Sequence, residues 1–220
     1  MAKYAFYISG RSGRVMKYLA QIDDYHRKEI CVVISDYIVD RKMRELLDGY
    51  CIPIHVIDDT LLEGTREEKN RQISDFICSK LEENEIDYMF SFGSHLLQGE
   101  LLDHFRNRLI NFHPAILPMF PGINALDRAA EQGNAFLIGN TAHFIDEGID
   151  TGSILMQSVI PVKAFLEKKD YDLVLDLQIE MLKKLIYSID CGLLEMENDI
   201  PIIRGADYNK HHFYPDINIE

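Results

Sequence analysis

The sequence predicts an α/β fold, with a mostly parallel, twisted sheet that carries helices on both faces, a β-rich second half and a long C-terminal helix. Two observations lead to this prediction. Short apolar runs alternate with longer segments of helical spacing in the first half, and the run ICVVI at residues 30–34 is apolar throughout, as buried parallel strands are. In the second half, two β-rich segments flank an acidic loop before a long amphipathic segment.

The predicted elements of the first half follow in chain order. The apolar runs predict strands over residues 3–8, 30–34, 52–57, 87–92 and 109–112. Helical spacing predicts helices over residues 13–22 and 41–47. Thr65 and Glu68 form a capping box, which predicts that a third helix begins there and runs to about residue 83.

The second half predicts fewer and longer elements. We expect helices over residues 125–132 and 168–191, and strands over residues 142–145 and 153–162. Residues 1–190 are expected to form one main domain. Residues 191–220 are polar and irregular apart from a strand-like pair at 202–203, and are expected to be a tail that packs on the domain or is partly mobile.

Composition excludes several classes of function. Of the 220 residues, 47% are hydrophobic, enough for a core, and no apolar run is long enough to cross a bilayer. The net charge of −13 opposes binding to phosphate backbones, so nucleic acid is not an expected partner. The four cysteines are scattered without a CxxC pair, which predicts reduced thiols in a cytoplasmic protein and no bound metal.

Three loops follow predicted strands, and the carboxyl ends of parallel strands are where such sheets bind ligands. They lie at residues 9–14, 91–95 and 111–117. The first contains Gly10, Arg11, Ser12, Gly13 and Arg14, which could hold a phosphate through backbone amides and guanidinium groups. An ordinary tight turn with solvated arginines explains the same residues.

The most informative stretch runs from residue 109 to residue 162. Asn111 and His113 lie two apart in a strand, so their side chains point to the same face. An acidic, glycine-containing loop follows later and includes Asp150; its spacing does not fit an EF-hand calcium loop. Taken one at a time, these residues are also compatible with a turn asparagine, a core histidine and a hairpin aspartate.

Asparagine, histidine and aspartate together suit the transfer of an acyl group to an amine. The amide of Asn111 and a protonated His113 can stabilise the oxyanion that forms. Asp150 can orient the histidine and accept the proton that the amine loses, directly or through water. This chemistry needs no nucleophilic serine or cysteine, and the stretch offers neither a GxSxG motif nor a nearby cysteine.

The segments NFHPAILPMFPG and HFIDEGIDTG resemble the folate-dependent formyltransferases, especially phosphoribosylglycinamide formyltransferase and its amino-sugar relatives. The resemblance covers residues 3–162 and implies a Rossmann-like formyltransferase fold. It implies that Asn111, His113 and Asp150 are catalytic, that His143 supports Asp150, and that 10-formyltetrahydrofolate is the formyl donor. It also implies binding of that donor by Ser94, His95, Leu97, Ile145, Asp146 and Gly148, and of the acceptor by Glu180 and the first loop.

The departures from the family concern the acceptor. Arg11 and Arg14 replace the polar residues of the family's phosphate loop, and His95 stands at an arginine position of its folate loop. Two arginines suit a diphosphate, so we expect a nucleotide-linked amino-deoxy sugar of surface-glycan biosynthesis as the acceptor. Residues 211–214 of the tail could contact it or be ordinary surface residues.

Other functions stay open at this point. The main alternative is glycinamide ribonucleotide as the acceptor, in purine biosynthesis. An inactive folate- or nucleotide-binding module is an alternative of another class, and water in place of the amine would make the chain a hydrolase that releases formate. Transfer RNA is disfavoured as an acceptor by the net charge of −13. A homodimer is possible, without residues that argue for it.

Overall fold

The computed structural model describes residues 2–10, 13–132 and 135–210, and residue 214. Within these residues, seven strands form one sheet in the order β3-β2-β1-β4-β5-β6-β7, and β8 and β9 form a second, two-stranded sheet. By its internal contacts the chain divides into two compact units. The first comprises residues 1–112 and 143–152, and the second comprises residues 113–142 and 153–220. The predicted α/β fold is confirmed.

The first unit is built on parallel strands. They are β1 (Tyr4–Ile8), β2 (Ile30–Ser35), β3 (Ile54–Val56), β4 (Tyr88–Phe92) and β5 (Leu109–His113), the last of which extends one residue beyond the unit. Their register brings the carboxyl ends together, since Ile8 pairs with both Ser35 and Phe92, and Ser91 pairs with Asn111. This edge of the sheet is where ligands of parallel sheets bind.

Helices cover both faces of these strands. They are α1 (Gly13–Gln21), α2 (Asp24–Arg27), α3 (Arg41–Gly49), α4 (Arg66–Glu83) and α5 (Glu100–His104). On one face, Tyr7 packs in a core with Ile73 and Ile77 of α4 and Leu101 of α5. On the other, the ring of Phe6 makes an edge-to-face contact with Tyr18 of α1 at a centroid distance of 5.6 Å. The start of α4 confirms the capping box, because Thr65 and Glu68 make both of its hydrogen bonds.

The second unit contains longer strands and the C-terminal helix. Its elements are α6 (Ala125–Glu131), β6 (Leu137–Phe144), β7 (Ile154–Pro161), α7 (Val162–Lys168), α8 (Tyr171–Asp190), β8 (Leu194–Glu197) and β9 (Ile200–Ile203), with the last two residues of β6 belonging to the first unit. A buried amide pair ties the elements together: Gln178 of α8 donates to Asn140 of β6, which donates to the Val174 carbonyl. Leu126, Phe165 and Val174 form part of its core.

Two predictions for the second half are corrected here. The long helix was expected from residue 168, but α7 ends at Lys168 and α8 begins at Tyr171, because Asp170 accepts the Asp172 backbone N–H and caps a new helix. The tail was expected to be irregular, yet β8 and β9 pair antiparallel in it. Residues 211–213 of the tail lie outside the described residues.

Among the described residues, no helix is both long enough and apolar enough to span a membrane.

Candidate active site

Three side chains of the first unit meet where β5 and β6 end. The amide nitrogen of Asn111 lies 3.2 Å from Nε2 of His143 and 3.4 Å from Oδ1 of Asp150. Nε2 of His143 lies 3.4 Å from the same oxygen of Asp150. The side chains of His143 and Asp150 are 3% and 11% exposed, so this contact is largely shielded from water. We call Asn111, His143 and Asp150 the carboxamide cluster.

The backbone fixes the orientation of His143. Its Nδ1 lies 2.8 Å from the carbonyl oxygen of Phe144, and a carbonyl only accepts, so Nδ1 carries a proton and donates it. In the neutral ring, Nε2 is then an acceptor and faces the Asn111 amide. A β-carbon at Gly152 would lie 1.8 Å from the same Phe144 oxygen. Only glycine therefore fits beside the carbonyl that orients the histidine.

The acidic loop before Asp150 is held by its own side chains. Oδ1 of Asp146 accepts hydrogen bonds from the Gly148 amide at 3.1 Å and from the Thr151 hydroxyl at 2.7 Å. Asp150 itself has a φ of 55°, in the left-handed region that aspartate tolerates better than most residues. These hydrogen bonds and this backbone conformation fix the position of Asp150. Asp146, predicted to bind the folate, organises this turn.

His113, the third predicted catalytic residue, is the last residue of β5 and belongs to the second unit. Its Nε2 donates to the Phe120 carbonyl at 2.8 Å, which keeps Nε2 protonated, and the residue is only 5% exposed. Phe120 lies in the proline-rich loop that follows, which contains the cis peptide bond Leu117–Pro118. A loop carbonyl thus orients this imidazole too.

Hydrogen bonds from β6 and β7 hold the proline-rich loop. The buried Thr141 hydroxyl donates to the Ala115 carbonyl at 2.7 Å and accepts the Leu117 amide at 3.0 Å. The side-chain amide of Gln157 donates to the Leu117 carbonyl and to the Thr141 oxygen, both at 2.9 Å. Threonine and glutamine therefore position the loop that carries the partner of His113.

The predicted folate loop begins beside β1. Ser94 donates its amide to the Ser9 hydroxyl at 2.9 Å. Leu97 is 2% exposed and packs in the core of the unit, and Ile145 packs partly buried against the same core. A β-carbon at Gly93 would lie 2.0 Å from the Tyr7 ring, so glycine is required where this loop leaves β4. Leu97 and Ile145 thus contribute core packing, and Ser94 contributes loop position.

His95 lies between two carboxylates. Its Nδ1 is 2.9 Å from the Asn70 amide oxygen, and its Nε2 is 3.6 Å from Asp36 and 3.7 Å from Asp59. Asp36 is 3% exposed and accepts the hydroxyl protons of Tyr7 and Ser9. Burial, followed by the charge of Asp36, raises the pKa of Tyr7 well above its usual value, so the phenol stays a donor.

The predicted acceptor loop is described in part. Gly10 has a φ of 63° and lets the chain turn from β1, and Gly13 begins α1. Arg14 places its guanidinium 4.9 Å from the Phe92 ring centre. Burial lowers the pKa of Arg14 to about 10, so the side chain is still a cation at neutral pH. Arg11 and Ser12 lie outside the described residues.

Glu180, the remaining predicted acceptor residue, is exposed on α8. Its carboxylate pairs with Lys183 at 3.0 Å, one helical turn along, and 58% of its side chain is exposed. Surface pairs of this kind contribute little to stability.

Comparison with known proteins identifies the family of this chain. A family model described as formyl transferase matches residues 2–181. The chain belongs to the formyl transferase family. The resemblance inferred from the sequence is therefore confirmed, and Asn111, His143 and Asp150 lie inside the part of the chain that matches.

The relatives include both a formyltransferase and a deformylase. The phosphoribosylglycinamide formyltransferase of Bacillus subtilis is 27% identical over 74% of this chain and 80% of its own. The formyltetrahydrofolate deformylase of Haemophilus influenzae is 34% identical over 61% of this chain. The chain spans less than half the length of several curated relatives it matches, 45% of this deformylase for example.

A solved structure of the family agrees with the fold. The glycinamide ribonucleotide transformylase 1 of Symbiobacterium toebii superposes with a TM-score of 0.74 at 25% identity, over 92% of this chain and 94% of that one. These relatives are named for glycinamide ribonucleotide or formyltetrahydrofolate. The comparisons therefore favour the glycinamide alternative over the amino-sugar acceptor that the sequence predicted.

The sequence predicts Asn111 and Asp150 as site residues, and the structure brings them together with His143, which was expected to support Asp150. The closeness of Gly152 to the Phe144 carbonyl has no signal in the sequence. The signal for His143 was present, since it opens the HFIDEGIDTG segment that carries the family resemblance.

Proposed function

We propose that this formyl transferase family member moves the formyl group of 10-formyltetrahydrofolate to the primary amine of a phosphorylated small molecule, glycinamide ribonucleotide being the favoured acceptor. The observation that carries the proposal is the carboxamide cluster, an amide donor, an oriented imidazole and a carboxylate within 3.4 Å of one another. The family match and the glycinamide-named relatives support the reaction and the acceptor.

The cluster suggests how the reaction proceeds. The amine nitrogen attacks the formyl carbon, a carbon–nitrogen bond forms, and the carbonyl oxygen becomes an oxyanion. One N–H of Asn111 stabilises that oxyanion in this proposal. Its 3.4 Å contact with Asp150 lies at the outer limit of a hydrogen bond, so this N–H can turn to the substrate at little cost.

Asp150 accepts the proton that the amine loses, directly or through a water molecule. The bond from the formyl carbon to the folate nitrogen then breaks, and the proton is returned to that nitrogen, so tetrahydrofolate and the formamide are the products. His143 keeps Asp150 and Asn111 in place because its ring is fixed by the Phe144 carbonyl. In the second unit, His113 is the further donor proposed for the oxyanion.

The loops that follow the strands contain residues that suit a phosphorylated acceptor and a folate donor. Arg14 is a cation at the first turn of α1, where helix amides also favour an anion. We retain Gly10, Arg11, Ser12, Gly13 and Glu180 as proposed acceptor residues. Ser94, His95, Leu97, Ile145, Asp146 and Gly148 remain the proposed folate segment.

A second candidate function is hydrolysis of the same donor. The Haemophilus influenzae relative is a formyltetrahydrofolate deformylase, and it is more identical to this chain, at 34%, than the Bacillus subtilis transferase is, at 27%. The same oxyanion donors and the same carboxylate would serve a water molecule in place of the amine. The two functions differ only in the acceptor.

An acceptor screen distinguishes them. The full chain is mixed with formyltetrahydrofolate carrying an isotopically labelled formyl group and with glycinamide ribonucleotide, with amino-sugar nucleotides of different bases, or with buffer alone. We expect label in formylated glycinamide ribonucleotide. Label in a sugar nucleotide alone would restore the sugar acceptor, label in formate alone would make the chain a deformylase, and no label in any product would make it a binding module.

A further inference from the structure

A second cluster of chemically reactive side chains lies in the first unit, on helices α4 and α5. Cys78 and Glu82 are one turn apart on α4, and His104 is the last residue of α5. Nδ1 of His104 lies 2.9 Å from Oε1 of Glu82 and 3.9 Å from Sγ of Cys78, and that sulfur lies 4.0 Å from the same Glu82 oxygen. The three atoms thus form one small triangle.

The triangle does not suit a proton relay. In a relay, a histidine contacts the thiol through one ring nitrogen and the carboxylate through the other. Here Nδ1 of His104 faces both Cys78 and Glu82. Because a single nitrogen cannot serve both partners, the imidazole cannot hold the carboxylate while it activates the thiol.

The triangle does suit a cation. Zinc binds sulfur at about 2.3 Å and nitrogen or oxygen at about 2.0–2.1 Å, so two ligand atoms of a tetrahedral site are separated by roughly 3.3–3.6 Å. The separations in the triangle, 2.9, 3.9 and 4.0 Å, lie on both sides of that range. Rotations of two surface side chains would equalise them, since Glu82 and His104 are 55% and 52% exposed.

The local charge favours a cation as well. The carboxylates of Glu82, Glu100 and Asp75 all act electrostatically on the Cys78 sulfur. Their combined negative field would attract a metal ion. A thiolate and a carboxylate together carry two negative charges, which match one divalent cation.

We propose that Cys78, Glu82 and His104 bind one zinc ion, with water as the fourth ligand. The thiol and imidazole select zinc or a similar transition metal over magnesium and calcium, which prefer oxygen ligands. On binding, the Cys78 sulfur–hydrogen bond is replaced by a sulfur–zinc bond and the proton passes to solvent. His104 binds the metal through Nδ1, so its ring proton is on Nε2, and Glu82 binds through a carboxylate oxygen.

Such a site would join α4 to α5. Cys78 is 8% exposed and packs in the same core as Leu101 of α5, so the metal would be anchored on one side in the core and open to solvent on the other. A ligand that binds only the folded chain raises its stability. The metal is therefore structural in this proposal, and formyl transfer by the carboxamide cluster does not depend on it.

The test uses cobalt(II) as a spectroscopic probe on the full chain after treatment with a chelator. We expect one equivalent to bind with a thiolate-to-cobalt charge-transfer band, and zinc to displace it and raise the melting temperature. Cys78→Ser should abolish the band, whereas Cys191→Ser, which removes an exposed thiol, should leave it unchanged. Absence of the band in the unaltered chain, or its persistence in Cys78→Ser, would overturn the proposal.

Two further variants keep the test decisive if Cys78→Ser, a substitution in the core, prevents folding. Glu82→Gln and His104→Ala change exposed side chains and should leave the circular dichroism spectrum unaltered. Each should weaken cobalt binding by about tenfold or more, since even the loss of a residue that only supports a metal ligand costs about that much. Unchanged affinity in both variants would also overturn the proposal.

Discussion

At the scale of single residues, His143 determines the geometry of the candidate site. Its ring contacts Asn111 and Asp150 through Nε2 and is held by the Phe144 carbonyl through Nδ1. Both other side chains of the carboxamide cluster therefore contact a ring that the main chain holds. In our proposal His143 is a positioning residue, and its loss should misplace two groups at once.

We expect His143→Ala to lower kcat by about a hundredfold, because misplacing a catalytic group by about 1 Å costs that much. KM for formyltetrahydrofolate should change little, since the substrate contacts are not removed. Steady-state kinetics with circular dichroism as a folding check measures both. The control is His26→Ala, at an exposed histidine that pairs with Asp23. Normal kcat in His143→Ala would contradict the positioning role.

A substitution at Gly152 tests the orientation of the His143 ring through the backbone. The β-carbon of Gly152→Ala would lie 1.8 Å from the Phe144 oxygen, so that carbonyl must move and His143 with it. We expect kcat to fall and the free energy of unfolding to decrease by about 1–3 kcal/mol, as for overpacked sites. Gly49→Ala is the matched control, because nothing lies within 4 Å of its β-carbon. Equal activity of the two variants would contradict the argument.

At the scale of elements, β6 and β7 hold the proline-rich loop through the Thr141 hydroxyl and the Gln157 side-chain amide. We expect Thr141→Val to lower the free energy of unfolding by about 1–3 kcal/mol, because the Ala115 carbonyl and the Leu117 amide lose a buried partner. Urea unfolding measures this. Thr141→Ser keeps the hydroxyl and should lose less, so an equal loss in both variants would contradict a leading role for the hydroxyl.

The elements also show how far the sequence predicts the fold. The buried strands and α4 are predicted well, since apolar runs and the Thr65–Glu68 capping box are local signals. Helix α7 is missed and the long helix is predicted three residues early, because the cap that separates α7 from α8 is a single side-chain hydrogen bond of Asp170. Only the strand-like pair at residues 202–203 of the β8–β9 hairpin is predicted, because each strand is four residues long and such short patterns do not stand out in the sequence.

For the site, the motif residues are predictable and their contacts are not. Residue type and spacing predict Asn111 and Asp150 as site residues. Their contacts with His143 in the carboxamide cluster depend on where β6 ends in the fold. Likewise, Cys78 and Glu82 have helical spacing, yet His104 joins them only through packing of α5 on α4. The proposed metal site therefore has no signal in the sequence, where the cysteines are scattered without a CxxC pair.

At the scale of the whole molecule, the net charge of −13 constrains the acceptor. A small phosphorylated amine can enter a locally favourable site, whereas a long phosphate backbone would meet repulsion over its whole length. The family match supports the proposed chemistry, and the residues proposed to select the acceptor are where this chain departs from the family. Arg14, stacked on Phe92, and His95, held by Asp36 and Asp59, are two such departures.

The central claim is that the carboxamide cluster transfers a formyl group. The most direct measurement is a single-turnover reaction of labelled formyltetrahydrofolate with glycinamide ribonucleotide, comparing the full chain with Asp150→Asn and with Asp48→Asn, an exposed helix position. We predict formylated product with the unaltered chain and with Asp48→Asn, and a rate at least about a hundredfold lower with Asp150→Asn. An undiminished rate in Asp150→Asn would contradict the account.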